Sequence, residues 1–154
     1  MKKRILFLAL AVMSAAGAFC QKNFNYEQRT LRDEIFQFVR NEGYSPSIDS
    51  DGDITFKKEG RSYWVVIDAR DTSLMYVCLM QTFTYGSPYT RVNLNAVMGD
   101  VSRNKMVKIE LYDSNFALTA DLYLTDSKAF TSIFSKAMSQ IDNLRETVIE
   151  LMEK

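Results

Sequence analysis

The chain has 154 residues, with 19 lysines and arginines against 19 aspartates and glutamates, and it contains no histidine. Without histidine there is no Ser-His or Cys-His nucleophile pair and no His-ligated zinc or haem, and a balanced charge offers no basic stripe to neutralise nucleic-acid phosphates. The length suits one domain, and an apolar content of 47% is enough to bury a core.

Met1-Lys2-Lys3-Arg4 opens the chain with positive charge. Ile5 to Ala18 then runs without a charge and ends among small residues, Ala15, Ala16, Gly17 and Ala18. This is the pattern of a secretory signal peptide over residues 1–20: cations hold the start in the cytoplasm, the apolar run enters the translocon, and small side chains fit the peptidase. The run is too short for a membrane-spanning helix, so the mature form carries no predicted span. Cys20 is either the last residue of the leader or a lipidated anchor. Bulky Phe19 sits where a lipobox wants a small residue, which favours a soluble periplasmic or secreted protein. The leader holds three of the basic residues and none of the acidic ones, so the remaining chain is net negative.

Residues 21–25 read as a short flexible lead. Asn25 and Gln28 then form a capping-box pattern, and Leu31, Ile35, Phe38 and Val39 follow at helical spacing toward Gly43, which predicts a helix over 26–42. Asp49-Ser50-Asp51-Gly52-Asp53 is an acidic run around a glycine. As a calcium loop it would place Ser47 at the first ligand position and Lys58 at the twelfth, where an EF-hand needs carboxylates, so it reads as a hairpin turn. Strands are predicted over 54–57, 63–70 and 74–85, separated by Glu59-Gly60-Arg61 and Asp71-Thr72-Ser73. The third is apolar on both faces and therefore central. With Cys20 removed, Cys78 in that strand is the sole cysteine and reads as a buried thiol.

Gly86-Ser87-Pro88 breaks the sheet, with Tyr85, Pro88 and Tyr89 forming an aromatic rim or closing the core edge. Leu94, Val97, Met98 and Val101 predict a middle helix over 90–103. Strands over 105–112 and 116–124 follow, with Val107, Ile109, Leu111 and Phe116, Leu118, Ala120, Leu122, Leu124 as their apolar stripes. Asp126 or Ser127 caps a long last helix whose stripe runs from Phe130 to Leu151 in heptad-like steps. It packs across the sheet, or its far end, 143–154, meets a second subunit. The fold class is α+β, in the order α-β-β-β-α-β-β-α: one domain over 26–154 with a mostly antiparallel five-stranded sheet and helices on one face.

Several short motifs carry a family resemblance: Gly43-Tyr44, Ile48-Asp49-Ser50-Asp51-Gly52-Asp53-Ile54, Asn93-Leu94-Asn95, Lys105, and Asp121-Leu122. Over about residues 26–150 the chain resembles the YbjN-like family of bacterial proteins, grouped as regulators of sensory transduction. The resemblance implies a fold similar to type III secretion chaperones, often dimeric, non-enzymatic and binding protein segments. Those chaperones act in the cytoplasm, so the leader departs from their pattern. The resemblance offers no catalytic residue to carry over.

The sequence therefore leads to an exported, non-catalytic envelope protein that binds a protein or peptide, with no cofactor and no metal. Lys108, Glu110, Tyr112, Asp121 and Tyr123 lie opposite the apolar stripes of their strands and form the expected contact face, since tyrosine buries area while keeping a polar tip. Two alternatives stand beside this reading. One is a structural homodimer joined through the last helix or a sheet edge. The other is a carboxylate-dependent hydrolase of envelope polymers, testable at Asp68 and Asp121.

Overall fold

The computed structural model describes residues 22–70, 75–101 and 104–153, so the leader, Cys20 and Leu74 lie outside the described residues. Order begins earlier than the sequence suggests. Lys22 pairs with Asp53 at 2.7 Å, and Phe24 is buried with the Arg32 guanidinium 5.7 Å from its ring centroid. Residues 22–25, expected as a free lead, are thus tied to the β-hairpin that follows. Gly52 permits this, because its φ is +92° and a Cβ there would come within 3.1 Å of the Phe24 ring.

Helix α1 (Tyr26–Asn41) starts at the capping box. Asn25 Oδ1 accepts from the Gln28 N–H at 2.8 Å, and Gln28 Oε1 accepts from the Asn25 N–H at 3.0 Å, which satisfies two of the otherwise unpaired donors of the first turn. Strands β1 (Ser47–Ile48), β2 (Ile54–Lys58), β3 (Arg61–Ile67) and β4 (Met75–Thr84) precede helix α2 (Arg91–Val101). Strands β5 (Val107–Leu111) and β6 (Asn115–Leu124) and helix α3 (Ser127–Met152) complete the chain. The sheet order is β1-β2-β3-β4-β6-β5, and every pairing is antiparallel.

The sheet has six strands among the described residues, one more than the sequence predicts. The addition is β1, whose two residues pair with Thr55 and Ile54 and are too few to show an alternation. Between β1 and β2, Asp49 Oδ1 accepts from the N–H groups of Asp51 and Asp53 at 3.0 and 2.9 Å. The acidic run therefore closes its own turn through side-chain bonds. Glu59 and Gly60, both with positive φ, link β2 to β3 as a two-residue turn whose twist matches the strands.

All three helices contribute to one core on one side of the sheet. Asp126 caps α3, accepting from the Ala129 N–H at 2.9 Å. The α3 stripe from Phe130 through Leu144 to Val148 is buried. The apolar residues at its far end are thus covered by this chain through Val148, which is the packing that a helix laid across a sheet requires. Tyr85 and Tyr89 lie against Phe116, with centroids 5.9 and 6.1 Å away, and so close the core edge.

One polar network crosses this core boundary. Asp142 of α3 accepts from Tyr63 Oη and from Lys58 Nζ, each at 2.7 Å. Burial opposes ionisation of Asp142, but the bonds from Lys58 and Tyr63 and the Lys58 charge outweigh it and hold the carboxyl below its ordinary range. The Tyr63 phenol is pushed upward, first by burial and then by its bond to Asp142.

Candidate functional site

Strand alternation divides the sheet into two faces. Val65, Ile67, Val77, Leu79, Ile109 and Leu118 point toward the helices and belong to the core. Their neighbours point the other way. The register aligns Thr55, Trp64, Met80, Thr119 and Lys108 in one row across the sheet, and Val66, Cys78 and Asp121 in the next. A third row pairs Tyr76 with Tyr123. Cys78 and Ala117 are buried on this second face yet stand outside the core cluster. Trp64, Val66, Tyr76 and Met80 are half-buried there.

The five residues expected to form a contact face come together at the β5–β6 end of this surface. Lys108 Nζ lies 2.7 Å from Glu110 Oε1 and 2.5 Å from Asp121 Oδ2, bridging the two carboxylates. Tyr112 Oη donates to Glu110 Oε2. Tyr76, which sequence reasoning did not select, donates from its Oη to Asp121 Oδ1 at 2.6 Å, and its ring lies 5.3 Å from that of Tyr123. Tyr123 is 67% exposed and Tyr112 43%, so two phenols project from a hydrogen-bonded base.

The electrostatics keep this base in one charge state. Burial raises the Asp121 carboxyl, but bonds from Lys108 and Tyr76 and the Lys108 charge outweigh it and hold it low. The same contacts, to Asp121 and then Glu110, push the Lys108 ammonium above its ordinary range. Burial and the bond to Asp121 raise Tyr76. Burial and Glu110 raise Tyr112 to about 12, and burial followed by the Asp121 charge lifts the Cys78 thiol to about 12. At neutral pH Asp121 is ionised, Lys108 is charged, and the phenols and thiol are neutral. The arrangement can offer fixed charges, phenol tips and apolar area to a bound molecule. Asp68, the other carboxylate singled out, lies at the end of β3 and is held down to about 2 by bonds from Arg70.

Trp64, Val66, Tyr76 and Met80 extend this surface beyond the expected five. For Tyr76 and Met80 the signal was the apolarity of β4 on both faces, which also describes a strand with an apolar patch on its open side; Trp64 and Val66 lie on the neighbouring β3. Beneath the patch, Thr119 Oγ1 is buried without a hydrogen-bond partner among the described residues. A buried hydroxyl left unpaired costs about 1–3 kcal/mol. Thr119→Val, which replaces it with a methyl of similar shape, is expected to stabilise the protein by about 1 kcal/mol in urea denaturation. A loss of stability would mean that the hydroxyl has a partner.

No protein-family model matches the chain, and no curated protein does either. Among solved structures, the crystal structure of YbjN from E. coli, described as a candidate transcription regulator, is similar, with a TM-score of 0.51 and 14% identity. The match covers 79% of this chain and 88% of that one. At this identity the likeness shows the fold alone: the chain has a YbjN-like α+β fold.

Proposed function

We propose that this protein is a non-catalytic binding module that engages a polypeptide partner outside the cytoplasm, in the manner expected of a secretion-chaperone-like fold. The observation that carries the reading is the open sheet face. Its half-buried Trp64, Val66, Tyr76 and Met80 adjoin the Lys108–Glu110–Asp121 network and the projecting Tyr112 and Tyr123. Aromatic area with a polar, pre-bonded rim is the composition of a recognition surface. The basic start at residues 1–4 and the apolar run after it support delivery to the envelope or beyond.

The test has two steps. The protein is first used as bait in an envelope extract with mild cross-linking, and the recovered partner is purified. Calorimetry then compares the native protein with Tyr112→Ala/Tyr123→Ala. The double variant is expected to weaken binding at least tenfold, because exposed aromatic anchors commonly carry 1–2 kcal/mol each. Unchanged affinity in a variant with native circular dichroism would remove this face from the reading.

A further inference from the structure

The described residues begin on the open side of the sheet. Phe24 lies in the core beneath the helices. Two residues earlier the chain has crossed to the other side. The Lys22 ammonium holds both carboxylate oxygens of Asp53 at 2.7 Å, and the Lys22 N–H donates to the Asp51 carbonyl at 3.4 Å. Asp53 precedes Ile54, a core residue paired with Val65, so strand alternation turns Asp53 outward beside Val66. Lys22 and Val66 line one hollow of about 260 Å³ with Asp68, Ala69 and Arg70. Residues 1–21 therefore join the fold at the Val66 corner of the open face.

From that corner one row leads straight across the sheet, from Val66 to Cys78 and on to Asp121. Trp64 and Met80 flank it on one side, and Tyr76 and Tyr123 on the other. At its far end Glu110 and Asp121 share a single cation, Lys108, so the charge there is negative by one. The chain upstream of Lys22 has the matching order. Ala18 is four residues away, a reach of up to about 14 Å. Ile5 to Ala18 are 14 uncharged and mostly apolar residues, preceded by Lys2, Lys3 and Arg4. A helix of that length measures about 21 Å, and the path from β3 over β4 and β6 to β5 takes roughly 15 Å. An apolar run entering at Val66 therefore spans the apolar row and brings its basic start to the carboxylates.

We propose that the leader, until it is removed, lies across this row as the first occupant of the open face. Its apolar run covers Trp64, Val66, Tyr76 and Met80, and its basic start meets Glu110 and Asp121. The proposal rests on the polypeptide-binding reading above and adds the regulation of the same site: the precursor is closed to its partner, and removal of the leader opens it. Burial of apolar surface drives the contact. The tether at Lys22 makes it intramolecular, at an effective concentration on the order of millimolar, so an affinity too weak to hold a free peptide is enough to close the face. The same tether favours the chain's own run over that of a second copy.

Trp64 is the one tryptophan in the sequence, and it stands on the covered surface, so its fluorescence reads the cover directly. Acrylamide quenching compares the full chain with its Leu8→Asp/Leu10→Asp variant. These two positions lie on nearly opposite sides of a helix and precede the described fold, so the variant breaks the run without touching the core. Its quenching constant is expected to be at least twice that of the full chain. Lys2→Glu/Lys3→Glu/Arg4→Glu is expected to raise quenching as well. The captured partner is expected to bind Leu8→Asp/Leu10→Asp at least tenfold more tightly than it binds the unaltered full chain. Equal quenching of Trp64 in the full chain and Leu8→Asp/Leu10→Asp overturns the proposal. If the partner then binds both equally but is lost from Tyr112→Ala/Tyr123→Ala, the contact-face reading stands without it. Protection of Trp64 that grows with protein concentration assigns the cover to a second copy and also overturns the proposal. Protection with no change in partner affinity places the partner elsewhere, and overturns both the regulation and the contact-face reading.

Discussion

Phe134→Ala is expected to destabilise the protein by about 4 kcal/mol, the range for truncating a fully buried phenylalanine. Phe134 joins three elements of the core, α1, β2 and its own α3. Its ring is 5.3 Å from Phe38 of α1, 6.0 Å from Phe56 of β2, 6.2 Å from Tyr44 and 5.5 Å from Phe130 on its own helix. Two of these contacts are edge-on, a geometry that adds about 0.5–1.5 kcal/mol per pair beyond area burial. Removing the ring leaves a cavity walled by four aromatics, which cannot collapse without disturbing each other's packing. A domain of this size has about 5–15 kcal/mol in total, so the variant loses a large share and its midpoint in urea falls accordingly. Phe134→Leu, which keeps most of the volume, is expected to cost about 1–1.5 kcal/mol. A Phe134→Ala loss below about 1.5 kcal/mol would show that the site refills and that the ring is not a hub.

Asp142→Ala is the second large effect, expected at about 3 kcal/mol at neutral pH. The substitution strands two partners at once. The Tyr63 hydroxyl, at the end of a side chain with 0% exposure, loses its acceptor, and Lys58, with 26% side-chain exposure, loses its carboxylate. Asp142→Asn separates charge from hydrogen bonding, since its carbonyl still accepts from Tyr63, and is expected to cost about 1–2 kcal/mol. The pH dependence follows from the depressed carboxyl. An acid whose folded value lies below its unfolded value contributes stability that is complete above about pH 4 and lost as pH falls through the folded value. The gap between native protein and Asp142→Asn should therefore be full at pH 7 and close below pH 4. Asp121 and Asp68 are also held low, so the difference between the two proteins is the readout, not the acid limb of either alone. A gap that persists unchanged at pH 2 would show that the carboxylate charge contributes nothing.

What could be read from the sequence was mostly local. The Asn25–Gln28 box, the Glu59-Gly60 turn and the α3 stripe depend on residues within a few positions of each other, where backbone preference and spacing decide the outcome. That the five residues expected as a contact face share one side of the sheet was legible for the same reason. A two-residue turn joins β5 to β6, so strand parity on each side is enough to place Lys108, Glu110 and Asp121 together. Tyr76 and Trp64 escaped because β4 sits between β3 and β6 through a non-sequential pairing, which parity does not reveal. Distance in the chain hid the rest. Asp142 is 84 residues from Lys58 and 79 from Tyr63, Lys22 is 31 from Asp53, and two-residue β1 leaves no periodic trace.

The tie between Asp142 and the first hairpin sets an order in time. The ribosome delivers α1 and strands β1 to β4 first, yet the helix that covers them, with Phe134, Ile141 and the Asp142 acceptor, follows every one of the described strands. Until α3 emerges, Tyr63 lacks its Asp142 acceptor and Phe56 lacks the Phe134 ring, and such long-range closure is slow to form because the intervening chain must first be ordered. The emerging domain thus stays open until α3 has been made. For the export proposed above, that delay suits a polypeptide that must thread a narrow channel before it folds.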